Sequence, residues 1–202
     1  MTRPHATSKA GHSSAANAQA ASNEGGLRRW LLFTVPLLAV GLAVLAGITV
    51  EREASTSIRS GDAPAFELPT THGDQIALDD VLAEGFALTY FSMGVGCDGC
   101  FAQIPEISEA LAERGIELVS IMPGTAEVLA FEADRFGIEQ PILVDGDNSV
   151  ADAYGMLGQY GHGDSPSHSF ALISPDGTIE QTIHYPTMFV PLEQLLEDLE
   201  LA

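Results

Sequence analysis

Positive charge is scarce in this chain of 202 residues, which carries eight lysines and arginines against 28 aspartates and glutamates. Its one lysine is Lys9, and after residue 50 four arginines stand against 27 acidic residues. A surface so acidic cannot displace the counterions of a phosphate backbone, so binding to nucleic acid is excluded. The same charge favours solubility and identifies no substrate.

Cysteine is scarcer still, because Cys97 and Cys100 are the only two. They follow the apolar run at residues 86–91 and precede a helix-like stretch, and a thiol at the start of a helix is favoured as the thiolate. A second thiol on the same helical turn can close a disulfide and resolve a mixed disulfide with a substrate. A structural disulfide or two buried thiols are the alternatives, but a bridge across so short a loop removes little chain entropy. The pair therefore predicts redox chemistry.

Long apolar runs are limited to residues 30–50, an uncharged stretch that is long enough to cross a bilayer as a helix. Arg28 and Arg29 abut its amino side, so the positive-inside rule places the amino terminus in the cytoplasm and the redox domain outside. A cleaved signal peptide is the alternative, although its apolar region is usually shorter and no clean Ala-x-Ala site follows. In both cases the cysteines lie outside the cytoplasm, where disulfides persist.

The apolar run divides the chain into four parts. Residues 1–29 are rich in alanine, serine, asparagine and glycine without an apolar period, which predicts a disordered cytoplasmic tail. Residues 30–50 are the predicted single transmembrane helix at the cell membrane, and residues 51–60 are a linker. Residues 61–202 form one domain, and a hydrophobic content of 46% in the chain is enough for a core.

Strand and helix patterns alternate along the domain. The predicted strands are residues 65–68, 75–78, 86–91, 117–121, 141–144, 169–174 and 178–184. The predicted helices are residues 79–84, a helix from the cysteines to Gly115, and residues 125–136, 148–154 and 191–199. Parallel strands, followed by a hairpin and a final helix, predict an α/β fold with a mixed central sheet and helices on both faces.

Several short motifs fit one known superfamily. They are residues 61–68 (GDAPAFEL), the two cysteines with Pro105, residues 153–155 (AYG) and residues 174–179 (SPDGTI). Together they make the chain resemble the thioredoxin-like redoxin superfamily, which includes membrane-anchored thiol–disulfide oxidoreductases and the alkyl hydroperoxide reductase/thiol-specific antioxidant group. The resemblance covers about residues 61–200 and implies a thioredoxin fold with two catalytic cysteines.

Two departures from the superfamily lie at the cysteines. An aromatic residue usually precedes the first cysteine, where this chain has Gly96, and Asp98-Gly99 replaces a frequent Gly-Pro. A carboxylate beside Cys97 opposes its thiolate, which predicts a more reducing pair than a proline-containing motif.

A third departure lies in the loop that is expected to face the cysteines. The superfamily places a cis-proline before the hairpin strand, and at the corresponding distance before Pro175 this chain has His168. The only nearby proline is Pro166. Either Pro166 serves with a local bulge or His168 takes the site, and both are predicted to position the substrate.

The resemblance implies a thiol–disulfide oxidoreductase. Cys97, nearer the helix start and more exposed, is predicted to attack, and Cys100 to resolve the mixed disulfide. The expected partners are protein thiols or disulfides outside the cytoplasm, and no cofactor or resident metal is predicted.

Two alternatives remain open. A peroxiredoxin-type peroxidase shares the layout, but it needs a hydroxyl residue three positions before the reactive cysteine and a later arginine, whereas this chain has Gly94 and no arginine after Arg135. A copper-binding assembly factor would use both thiols and His168, although that family separates its cysteines by three residues. The methionines near these elements are interpreted as packing residues: Met93, Met156 and Met188.

Overall fold

Residues 55–57 and 61–202 are described by a computed structural model. The predicted tail at residues 1–29, the predicted span at residues 30–50 and most of the linker lie outside the described residues. Within the described part of the chain, no helix has the length and apolar character needed to cross a bilayer.

The strands of the described residues form a six-stranded sheet and a separate two-stranded hairpin. Their bounds are β1 Ser55–Ser57, β2 Glu67–Pro69, β3 Gln75–Ala77, β4 Phe86–Phe91, β5 Ile116–Met122, β6 Leu143–Val144, β7 His168–Ile173 and β8 Ile179–Tyr185. The large sheet has the order β1-β8-β7-β4-β5-β6, and β2 pairs with β3. Strand β4 is buried along almost its whole length, because it lies between parallel β5 and antiparallel β7. The predicted mixed sheet is confirmed.

Five α-helices connect or flank these strands in the described residues. Their bounds are α1 Leu78–Leu82, α2 Asp98–Ala112, α3 Ala126–Phe136, α4 Ser149–Ala153 and α5 Leu192–Asp198. Helix α3 shows how local chemistry sets such bounds: the Thr125 side chain accepts a hydrogen bond from the Val128 N–H at 3.4 Å, and Gly137 ends the helix in the left-handed conformation.

Alternate residues of the central strands point to two apolar clusters, one on each face of the sheet. The face that we call the α2 face carries Leu88, Tyr90 and Phe170 and is covered by α2, α3 and α5. The face that we call the α4 face carries Ala87 and Phe91 and is covered by α1, α4 and the β2–β3 hairpin. Each fully buried leucine or phenylalanine contributes about 1.5–3 kcal/mol, so both clusters hold helices against the sheet, as predicted.

Two segments differ in extent from the sequence predictions. Strand β6 has only two residues because the Ile142 backbone bonds to Thr71, donating to its Oγ1 at 3.1 Å and accepting from its N–H at 3.0 Å. Residues 55–57, which the sequence assigns to the linker, form β1 and pair with the end of β8. Both pairings join segments that are far apart in the chain, so local sequence patterns do not reveal them.

Candidate active site

A glycine-rich turn carries the chain from β4 to the two cysteines. Gly94 and Gly96 have φ angles of 72° and 94°, a region that favours glycine, and the Cys97 N–H donates to the Gly94 carbonyl at 3.1 Å. The turn sets Cys97 at the N-cap of α2, where it forms a disulfide with Cys100 across a Cα–Cα distance of 5.3 Å. The predicted pair therefore lies at the strand-to-helix junction that its sequence context indicates.

The two sulfurs occupy unequal positions at the helix start. The Cys100 N–H donates to the Cys97 sulfur at 3.2 Å, so the first helical turn directs a donor at Cys97. Such donors and the helix dipole stabilise a thiolate. Cys97 keeps 6% of its surface exposed and Cys100 none, which confirms that Cys97 is the more exposed of the two.

A short stretch after β8 covers the buried cysteine; we call residues 186–190 the covering segment. Its Met188 places Sδ 4.0 Å from the Cys100 sulfur. A Cβ atom on Gly99 would stand 2.8 Å from the Met188 carbonyl oxygen, so the segment lies directly on the helix start. The close approach explains why a glycine is needed at this position of the motif.

Gln103 joins the covering segment to the sheet, and sequence reasoning missed it. The Val190 N–H donates to the Gln103 side-chain oxygen at 2.7 Å, and Nε2 of His168 lies 3.2 Å from the same oxygen. Gln103 is fully buried. The available signal was its position one turn after Cys100 on a helix whose neighbouring positions, Phe101 and Ile104, are apolar.

His168 lies in the first position of strand β7 and is fully buried, which corrects the expectation of a loop residue. The strand begins one residue earlier than predicted because His168 pairs with Tyr185 of β8. Its Nδ1 lies 3.0 Å from the Tyr90 hydroxyl. Since the Gln103 oxygen only accepts, Nε2–H donates to it and Nδ1 accepts from Tyr90.

Burial sets the charge of this network. Loss of hydration lowers the pKa of His168 to about 3 and raises the pKa of Tyr90 well above its ordinary value. The imidazole is therefore neutral at physiological pH. The Tyr90 hydroxyl also lies 3.1 Å from the Cys100 carbonyl oxygen. The hydrogen-bonded group of Tyr90, His168 and Gln103 therefore contacts the backbone of the residue that carries the buried sulfur.

Pro166 lies two residues before β7, is buried, and forms an isolated bridge with Leu157. No peptide bond in the described residues is cis. A direct role in positioning the substrate stays a prediction for Pro166 and for His168.

A known protein family matches the part of the chain that carries the two cysteines. The AhpC/TSA family matches residues 60–182, more than half of the chain. The chain belongs to the AhpC/TSA family. The resemblance to thioredoxin-like redoxins is thereby confirmed.

Relatives of this AhpC/TSA protein include proteins named as peroxiredoxins and as thiol-disulfide oxidoreductases. A candidate peroxiredoxin from Mycobacterium tuberculosis is 32% identical over 109 residues, which cover 52% of this chain and 69% of the relative. The thiol-disulfide oxidoreductase ResA from Geobacillus thermodenitrificans is 25% identical over 177 residues, which cover 85% of this chain and 94% of the relative. Both names agree with the predicted enzyme class, an oxidoreductase.

Solved structures support the fold. AhpC from Enterococcus faecalis matches with a TM-score of 0.61 at 20% identity, over 71% of this chain and 91% of that chain. At this identity the likeness shows the fold alone.

This chain lacks two groups that an AhpC/TSA peroxidase would use, the hydroxyl residue before the reactive cysteine and a later arginine, because no arginine follows Arg135 in the sequence. Gly94 stands where a hydroxyl residue is expected; a Cβ atom there would lie 3.0 Å from the Pro123 carbonyl oxygen, and the φ angle of 72° disfavours any other residue. Arg135, which comes from α3, pairs with Glu132 and with Asp98 at 3.7 Å. Its charge therefore faces two carboxylates.

The Arg135–Asp98 pair also changes the expected effect of Asp98 on the cysteines. The positive guanidinium offsets the negative charge beside Cys97, although both side chains are substantially exposed and solvent screens them. We therefore expect the reducing influence of Asp98 to be smaller than the sequence alone predicts.

His168 does not complete a metal site with the cysteines. Both of its ring nitrogens already bond to Tyr90 and Gln103. Across residues 61–202, no group of three or more histidine, cysteine, aspartate or glutamate side chains is arranged to hold a metal ion. The ligand set of the copper alternative is therefore not assembled.

Proposed function

We propose that this AhpC/TSA protein is a membrane-anchored thiol–disulfide oxidoreductase that acts outside the cytoplasm on protein thiols or disulfides. The observation that carries the proposal is the Cys97–Cys100 disulfide at the start of α2, in which Cys97 keeps a small exposed surface and Cys100 is fully buried. Unequal exposure is what an attacking and a resolving thiol require.

The exchange runs in two steps. The Cys97 thiolate attacks a substrate disulfide, forms a mixed disulfide and releases one substrate thiolate. The Cys100 thiolate then attacks the Cys97 sulfur, which releases the second substrate thiolate and forms the Cys97–Cys100 disulfide. Protons from solvent neutralise the two released thiolates, and an external dithiol must supply two electrons to restore the starting state. The same steps in reverse oxidise a substrate dithiol.

The location rests on the apolar run at residues 30–50 and the arginines before it. The match to ResA supports the proposal, because it covers 85% of this chain, which is more than residues 61–202 contain. It therefore extends into the part of the chain that holds the apolar run.

His168 and Pro166 are proposed to position the substrate indirectly, through other residues, without contacting it. His168 holds the Gln103 oxygen, and Gln103 holds Val190 at the end of the covering segment. This contact makes His168 a positioning residue for the surface around the disulfide. Pro166, bridged to Leu157, supports the entry to the same strand.

An asymmetry between the two cysteines tests the mechanism in the full-length protein. Cys100→Ser is expected to accumulate a mixed disulfide through Cys97, seen as a reducible species of higher mass. Cys97→Ser is expected to trap nothing and to lose exchange, because the remaining thiol is buried. The double variant is the control for non-specific trapping. Disulfide exchange that persists in both single variants would show that the mechanism is wrong.

Topology is tested separately. A reporter that is active only outside the cytoplasm should work when fused after Ala202, and membranes should retain the protein through a salt wash. Recovery of a soluble exported form that begins near residue 55 would mean that the apolar run is a cleaved signal.

A second candidate function is thiol peroxidase, which the 32% identity to a candidate peroxiredoxin favours. Gly94 in place of the hydroxyl residue and the lack of an arginine after Arg135 in the sequence oppose it, because peroxide would be left without its usual hydroxyl and guanidinium partners. Reduced protein should therefore consume hydrogen peroxide far more slowly than it reduces a small-molecule disulfide. The reverse order of rates would favour the peroxidase.

A further inference from the structure

The thioether of Met188 lies beside the cysteines, although the sequence indicates only a packing role for it. Its Sδ is 4.0 Å from the Cys100 sulfur, and Cys100 is bonded to Cys97. Sulfur ligands lie about 2.3 Å from a bound metal ion, so three of them arranged in a plane around one ion stand about 4 Å apart. Met188 and Cys100 already have that spacing.

We propose that the reduced Cys97–Cys100 pair and Met188 form a three-sulfur binding site for Cu(I). Two thiolates and a thioether are soft ligands, which select a soft ion. Zn²⁺ prefers four ligands that include thiolate, imidazole or carboxylate groups. No third side chain of those kinds joins the cysteines in the described domain. This site goes beyond the proposed exchange activity.

Two contacts hold the backbone that carries the Met188 thioether, one at Met188 itself and one at Val190. The Met188 carbonyl packs against Gly99, where a Cβ atom would lie 2.8 Å from the carbonyl oxygen. After it in the chain, the Val190 N–H donates to Gln103 at 2.7 Å. Both anchors belong to helix α2, which also carries Cys100. Met188 is therefore held beside the helix start that carries both cysteines before the ion arrives.

Charge and redox state decide when the ion binds. Two electrons from a dithiol donor first open the disulfide, and each thiol then releases a proton to solvent as it ligates Cu(I). The copper ion undergoes no change of oxidation state. Two thiolates and one Cu(I) leave one net negative charge at the N-terminus of α2, where the helix dipole favours it. The disulfide and the copper site exclude each other.

The test uses the full-length protein in detergent, reduced and kept anaerobic, with Cu(I) itself as the probe. Competition against a coloured Cu(I) chelator is expected to show one ion per chain. Met188→Leu, which keeps the volume and removes the thioether, should weaken Cu(I) binding at least about tenfold. Met156→Leu is the matched control, because Met156 is a buried methionine in the cluster of the α4 face. It should bind Cu(I) like the parent.

X-ray absorption on the copper-loaded parent gives a second readout that does not depend on a variant. Three sulfurs at about 2.3 Å are expected, and two would overturn the proposal. Absence of stoichiometric binding, or equal affinity in Met188→Leu and the parent, would overturn it as well. Disulfide exchange of the parent is measured separately. If exchange is present without the three-sulfur site, only this inference falls, and if the site is present without exchange, only the proposed function falls.

Discussion

The α2 face and the α4 face of the central sheet both bury polar groups, but they connect them differently. On the α2 face, one oxygen of Gln103 joins helix α2, strand β7 and the covering segment through His168 and Val190. On the α4 face, Ser169 bonds to Ser167 at 2.7 Å and to His184 at 2.8 Å, all within the β7–β8 hairpin and its entry.

The difference shows how a buried hydrogen bond acquires a role in a site. Both sets of contacts satisfy groups that would be costly to bury alone. Only the set on the α2 face also fixes a segment that covers the disulfide. We therefore expect polar substitutions on the two faces to have similar effects on stability and different effects on the cysteines.

Acid should lower the stability of the folded protein substantially, through His168. Its pKa is about 3 in the folded protein and 6.5 when unperturbed. Between these pH values the unfolded chain binds a proton at His168 and the folded chain does not, so stability falls as the pH falls. This difference lowers the free energy of unfolding by about 3 kcal/mol between pH 7 and pH 4. Urea unfolding, followed by the near-ultraviolet circular dichroism of the tyrosines, should show this loss.

His168→Phe removes the titrating group, so the same measurement should show a smaller loss of stability in acid. The control is His72→Gln, which changes an exposed residue in the β2–β3 turn and should keep the parent's acid response. An unchanged acid response in His168→Phe would mean that the α2-face network does not control stability in acid.

Gln103→Leu tests the comparison directly. It leaves the Val190 N–H and the His168 Nε2–H without their acceptor, which should cost about 2–4 kcal/mol of stability. Because the covering segment loses an anchor, dithiothreitol should also reduce the disulfide several-fold faster. Thiol release measured over time gives that rate.

Ser169→Ala is the matched variant on the α4 face. Loss of its two hydroxyl contacts should cost about 1–3 kcal/mol, with the rate of disulfide reduction unchanged. If Ser169→Ala accelerated reduction as much as Gln103→Leu, the proposed division between the two faces would be wrong.

Gly99→Ala should lower stability by a smaller amount, because it disturbs only the covering segment. The added methyl group meets the Met188 carbonyl at 2.8 Å, so the segment must shift, at a cost of about 1–3 kcal/mol. Gly61→Ala is the control, because nothing lies within 4 Å of a Cβ atom there. Urea unfolding of both variants measures the difference. Equal stability of the two would indicate that the segment does not rest on α2.

Asp98→Asn should have the smallest effect, a slight rise in the reduction potential of the Cys97–Cys100 pair. Removal of the carboxylate favours the neighbouring thiolate and raises the reduction potential, but the pair with Arg135 is exposed and limits the change to less than about 20 mV. Equilibration with a glutathione buffer measures the potential. A much larger rise would show that Asp98 acts on Cys97 without an effective counter-charge.

The sequence by itself determined the order and type of the elements and the setting of the cysteines. Strand β4 is a continuous apolar run, helix α2 has apolar residues at helical spacing, and the β7–β8 turn has Pro175-Asp176-Gly177. These features depend on residues that are near one another in the chain, so local pattern is sufficient to predict them. The redox pair at the strand-to-helix junction follows from the same local information.

Only the tertiary structure decided which residues surround the disulfide. Gln103, His168 and Val190 meet at one oxygen, and Met188 reaches Cys100 from the far end of the domain. His168 changed from an expected loop residue to a buried strand residue because strand pairing with β8 extends one position further. Such contacts depend on the packing of segments that are distant in sequence. No periodicity or motif encodes them, because each partner is ordinary in its own local context.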